Sequence, residues 1–171
     1  MVVDQNFLKV KKYFLLIIFF LLFASKSYSN NYTFTKIIEL DEPWGSSFIN
    51  NNEIIITEKS GKIKIVNIVS KEVVEIKHNL NFLEIGQGGL LDIIHQDNIL
   101  WISYSEDRGN SKTSTSIAKA QLNKQELDFK NIFQANPPID SGYHFGSRLA
   151  IKGDYIYTSA GERGQGMIAQ D

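Results

Sequence analysis

Three short loops in this chain place proton-exchanging side chains among glycines. Tyr143-His144-Phe145-Gly146-Ser147-Arg148-Leu149 offers an imidazole and a guanidinium, Gly86-Gln87-Gly88-Gly89-Leu90-Leu91-Asp92 an amide and a carboxylate, and Gly161-Glu162-Arg163-Gly164 a second carboxylate. An imidazole with an ordinary pKa near ~6.5 can accept a proton at neutral pH. A carboxylate bonded to one of its ring nitrogens would set the tautomer and favour the cation formed on proton uptake. An amide both donates and accepts, which suits a ligand rich in oxygen. Glycine in such a loop lets a backbone approach a ligand closely.

Each candidate also has a structural reading. His144 follows Asn136-Pro137-Pro138-Ile139-Asp140-Ser141-Gly142, a stretch that suits neither strand nor helix, and a loop histidine commonly just packs. Gln87 can bond its own turn, Glu162 can pair with Arg163 or Arg148, and Arg148 can serve a salt bridge as readily as an anionic ligand. Asp92 is expected to support a strand edge. His78 and His95 sit in contexts that fit packing.

The elements around these loops read as strands. Glu53 to Glu58 is β-rich and runs into the turn signal Ser60-Gly61; Lys62 to Val66 alternates charged and apolar residues with period two. Further strands are expected at Glu72–Ile76, Asn98–Tyr104, Thr115–Leu122, Leu127–Phe133 and Asp154–Thr158, separated by Gly, Asn, Asp and Ser turns. A longer repeat underlies them. Gly45 leads to a strand opening at Ile54, Gly89 to one at Ile99, and Gly146 to one at Tyr155, offsets of 9, 10 and 9 residues. The repeats are 44 and 57 residues long, the size of four-stranded propeller blades. The expected fold is all-β: a partial β-propeller of about two and a half blades. Because propellers close with ~4–8 blades, residues 30–171 are expected to be the N-terminal part of a longer ring.

Residues 1–29 read as a different object. Lys9, Lys11 and Lys12 precede an apolar run from Phe14 to Phe23, and Ser27-Tyr28-Ser29 fits a small-x-small cleavage site, the layout of a secretory signal peptide. The run is about half the ~20 residues a membrane span needs. The expected location is periplasmic or secreted, with no stable membrane anchor after cleavage. Removing the leader takes away four lysines and Asp4, so the net charge of −1 becomes −4. That mildly acidic balance argues against a nucleic-acid partner or a polyanion. With no cysteine, the chain has neither disulfides nor thiolate zinc sites.

In order and spacing these motifs resemble the quinoprotein glucose/sorbosone dehydrogenases, soluble aldose sugar dehydrogenases that use pyrroloquinoline quinone (PQQ). Gly86-Gln87-Gly88-Gly89-Leu90-Leu91 looks like that family's Gly-Gln-x-Gly-Leu-Leu, and His144 to Leu149 like its His-x-x-x-Arg-Leu. Leu40-Asp41-Glu42-Pro43-Trp44-Gly45 and Thr57-Glu58-Lys59-Ser60-Gly61 look like its first blade, so the likeness covers residues 37–171. The resemblance implies a six-bladed ring, an aldose substrate oxidised at its anomeric hydroxyl to a lactone, hydride transfer to PQQ, and an external electron acceptor. It implies that His144 is the catalytic base, that Glu162 orients it, and that Gln87 contacts the cofactor; Arg148 is the further candidate to steady an anionic cofactor. Glu162 stands where the family commonly has Asp, one methylene shorter. Calcium and the remaining basic cofactor contacts are expected downstream, with no metal ligand within this chain, so residues 30–171 alone are expected to be inactive and poorly folded. The alternative function is a non-catalytic extracytoplasmic propeller that binds a sugar or protein; such a binder has no need of a base and an orienting acid in adjacent loops.

Overall fold

Short runs of Ile, Val and Leu punctuated by turn residues give antiparallel hairpins throughout a computed structural model of the chain, which describes residues 32–167. The chain divides after Thr35, and the unit that begins at Lys36 contains every assigned strand. The proposed leader at 1–29 and residues 168–171 lie outside the described residues.

Strands β1 (Pro43–Phe48), β2 (Glu53–Glu58), β3 (Ile63–Asn67) and β4 (Val73–His78) form the first sheet as a meander. Strands β5 (Leu90–Gln96), β6 (Ile99–Asp107), β7 (Thr113–Gln121) and β9 (Lys130–Gln134) form the second. Strands β10 (Leu149–Lys152) and β11 (Tyr155–Thr158) pair as an isolated hairpin. These are two four-stranded blades and the opening hairpin of a third, an incomplete β-propeller as the repeat spacing predicts. The core lies between the sheets: Ile55, Ile63, Ile65 and Ile76 from the first blade meet Leu90, Ile93, Leu100, Ile102 and Tyr104 from the second.

One expected strand divides. Leu127–Phe133 reads as a single element, but the chain breaks around Asp128 into β8 (Glu126–Leu127), which adds parallel to β4, and β9, which pairs with β7. Asn79 explains the break. Its side chain accepts from Phe129 N at 2.8 Å and donates to the Asp128 carboxylate at 2.7 Å, drawing this segment onto the first blade. Leu127 and Phe129 are both buried there, so apolar burial and backbone pairing act together to tie the blades.

The blades join through a repeated device. The register of β1 against β2 shifts between Pro43 and Ser46, and that of β5 against β6 between Leu90 and Ile93. Such bulges re-aim backbone groups out of the ladder. In the first, Gly45 N donates to Thr57 Oγ1 at 2.9 Å, and that hydroxyl donates onward to Leu91 O of the next blade at 2.5 Å. In the second, Asp92 N donates to Ser103 Oγ at 3.0 Å, and Ser103 Oγ donates to Ser147 O at 2.6 Å. Asp92 adds to the second joint: its carboxylate accepts from Leu149 N at 2.8 Å and from Arg148 Nη1 at 3.2 Å. The expectation that Asp92 supports a strand edge therefore holds, with the edge belonging to the following blade.

Candidate functional site

The loop from Ser141 to Arg148 hangs on hydroxyls of the second blade. On β7, Thr113 and Thr115 alternate with Ser114 and Ser116, so the two pairs face opposite sides of the sheet. Thr115 Oγ1 donates to Phe145 O at 2.8 Å, and Thr113 Oγ1 to Ser141 O at 3.2 Å. On the other face Ser116 donates to the carboxylate of Glu106, which also accepts from Asn131 and Gln134, a satisfied structural cluster. Tyr104 donates to Asn131 beside it, and burial pushes its phenol up to about 12.

The loop carrying Gln87 joins this one through backbone and side chain. Gln87 N donates to Gly142 O at 2.7 Å, and Gln87 Oε1 accepts from His144 N at 2.9 Å. The approach depends on Gly86, whose φ is +56° and whose missing Cβ would lie 2.5 Å from Gly142 O. The third loop arrives in the same way: a Cβ on Gly161 would lie 2.3 Å from His144 O. At both places glycine admits another segment of this chain, not a ligand as the sequence reading expects, because the loops must touch backbone to backbone before their side chains can meet.

They do meet. His144 Nδ1 and Glu162 Oε1 are 2.5 Å apart, with the His144 side chain about half exposed and that of Glu162 28% exposed. The bond to His144 holds the Glu162 carboxyl below the usual range, so the carboxylate is the accepting partner and Nδ1 carries the proton. In the neutral ring this leaves the lone pair on Nε2, the atom able to take a proton from a bound molecule. His144 has φ of +51°, Ser147 of +80° and Arg163 of +56°, three non-glycine residues in left-handed backbone within these two loops. Backbone of this kind costs on the order of 1–3 kcal/mol per residue and concentrates where a site over-determines its geometry.

The structure thus brings Gln87, His144 and Glu162 together and settles two open alternatives. Glu162 bonds His144, not Arg163 or Arg148. Gln87 does not fold back on its own turn; its Oε1 positions the His144 peptide, and its Nε2 has no partner among the described residues. Arg148 stands apart from this trio. It is 77% exposed, one guanidinium nitrogen is spent on Asp92, and no hydrogen bond joins it to the three. His78 is a packing histidine, its Nε2 at 2.7 Å from Gly61 O.

Residues 40–171 match the family model described as Glucose / Sorbosone dehydrogenase. The chain belongs to that family. Aldose sugar dehydrogenase YliI of Escherichia coli is 30% identical over 143 residues, an alignment covering 78% of this chain and 38% of that protein. The crystal structure of the soluble aldose sugar dehydrogenase of Escherichia coli in its apo-form matches with a TM-score of 0.68 at 30% identity, over 74% of this chain and 39% of that one. The PQQ-bound form of the aldose sugar dehydrogenase of Streptomyces coelicolor shares the fold, with a TM-score of 0.67 at 20% identity over 78% and 42%. The chain therefore spans about two fifths of the length of these family members.

Two further side chains of the site lack an obvious sequence signal. Thr113 falls just outside the expected strand at 115–122, although the run Thr113-Ser114-Thr115-Ser116 signals hydroxyls on both faces. Arg163 enters the sequence reading only as a partner for Glu162, whereas it is 6% exposed and faces the opposite task of holding backbone carbonyls.

Proposed function

We propose that this chain supplies the base-bearing blades of an exported, PQQ-dependent aldose dehydrogenase that converts the anomeric hydroxyl of a sugar to a lactone. The observation that carries the reading is the short His144 Nδ1–Glu162 contact beside Gln87, built from three loops that are far apart in sequence. Nε2 of His144 would remove the hydroxyl proton, while Glu162 keeps the ring in the Nδ1–H tautomer and stabilises the imidazolium. PQQ, when bound, supplies the acceptor for the hydride. The residues present suit a polyanionic quinone in kind: Gln87 has an amide nitrogen with no partner among the described residues, and Arg148 an exposed guanidinium with one nitrogen bonded to Asp92. Calcium is proposed to bind elsewhere in the whole protein; among the described residues no three His, Asp or Glu side chains gather into a metal site. The external electron acceptor and the leader function of residues 1–29 belong to the same proposal.

The test uses the full-length protein expressed with residues 1–29. Its periplasmic fraction, supplied with PQQ and calcium, is expected to reduce a dye when glucose or another aldose is added. His144→Gln is expected to lower kcat roughly 10²–10⁴-fold. Undiminished turnover in His144→Gln would remove His144 as base, and dye reduction confined to the cytoplasm would remove the export reading.

A further inference from the structure

Among the described residues Arg163 is a buried cation without an anionic partner. None of the ion pairs among the described residues includes it, and burial lowers its affinity for the proton. A buried charge is costly unless hydrogen bonds replace its water. Here they do. Nε donates to Tyr143 O at 2.9 Å, Nη1 to Thr113 O at 3.3 Å, and Nη2 to Thr113 Oγ1 at 2.6 Å and Ser141 O at 2.5 Å. The guanidinium carbon stacks 3.7 Å over the ring of Phe145. Only a planar fork with five donors can reach so many acceptors from one position.

The acceptors are not scattered. Tyr143 and Phe145 flank His144, Ser141 opens its loop, and Thr113 begins β7. Glu162, the residue immediately before Arg163, holds the imidazole itself. Two consecutive residues thus grip His144 from both ends, one by its ring and one by the peptide before it, and the second anchors that grip to a strand.

We infer that Arg163 is a positioning residue for His144: its fork fixes the 141–145 backbone so that Nδ1 stays on Glu162 and Nε2 stays free. The inference rests on the base reading of His144 for its catalytic consequence but not for its geometry. Lysine, a point charge with three donors, cannot span the same acceptors.

Ring-¹⁵N histidine labelling of the full-length protein reads the geometry directly. These 171 residues contain three histidines, and the signal lost in His144→Gln is that of His144. At a pH where a free imidazole is neutral, the native His144 ring is expected to show the Nδ1–H tautomer. In Arg163→Lys, and in the milder Thr113→Val, the Nε2–H form is expected to grow. In the same variants kcat is expected to fall at least about tenfold, with KM for the sugar moving less than about threefold. Folded variants that keep both the native tautomer and kcat would overturn the inference, as would a loss of thermal stability alone. A tautomer change in a protein with no aldose-dependent turnover would support the strut while ending the dehydrogenase reading.

Discussion

At the scale of single residues, the telling pair is a ring and an acid that are exposed enough to meet a ligand yet held at hydrogen-bond distance. The substitution that separates charge from shape is Glu162→Gln. Glutamine keeps the length, but its amide can donate to Nδ1 as well as accept from it, so the ring is no longer forced to present a bare Nε2. Turnover is expected to fall at least about tenfold with little change in sugar KM, measured by steady-state dye reduction. The pH profile adds a sign. The carboxyl of Glu162 lies below its ordinary value because His144 bonds it, so it is anionic at neutral pH and loses its accepting role only as pH falls through that lowered value. The acid limb of activity near neutrality is therefore expected not to come from Glu162, and Glu162→Asp should retain that limb.

At the scale of elements, blades are joined by hydroxyls that bridge a bulge to a neighbouring carbonyl. Thr57 and Ser103 do this at equivalent positions of successive sheets. Replacing Thr57 with Val or Ser103 with Ala leaves a buried N–H and a buried C=O each without this partner, at a cost on the order of 1–3 kcal/mol. Urea unfolding of the full-length protein is expected to show a lower midpoint with an unchanged slope. A midpoint equal to the parent would mean that the hydroxyls merely fill space. Thr158 on β11 has a buried hydroxyl with no partner among the described residues. Most strands were legible from period-two alternation between turn residues, since both follow from local pleat and turn geometry; the blade-opening strands β1, β5 and β10 were not, and in β1 and β5 a bulge breaks the alternation. The division of Leu127–Phe133 was not, because it depends on Asn79, some fifty residues away.

At the scale of the whole molecule, the sheets leave apolar side chains in water. Trp44 and Phe48 on β1 and Tyr155 and Tyr157 on β11 are between 46% and 70% exposed. In a ring each such face would meet another blade. The chain as it stands, which spans about two fifths of its relatives, is expected to self-associate when expressed from residue 36 onward, read as a concentration-dependent rise in mass by light scattering. A stable monomer at high concentration would count against the ring.

Blade period, the chemical kinds of the site residues and the identity of most strands are local properties, written into glycine spacing, side-chain type and alternation, and were readable along the chain; the blade-opening strands β1, β5 and β10 were not. The partnerships were not. Whether Glu162 bonds His144 or an arginine, whether Gln87 serves a turn or a peptide 57 residues away, and whether Arg163 seeks a carboxylate or a row of carbonyls all depend on how separate loops converge. Short polar side chains have many partners of nearly equal worth, and only the packing of one blade against the next brings a particular one within hydrogen-bond reach.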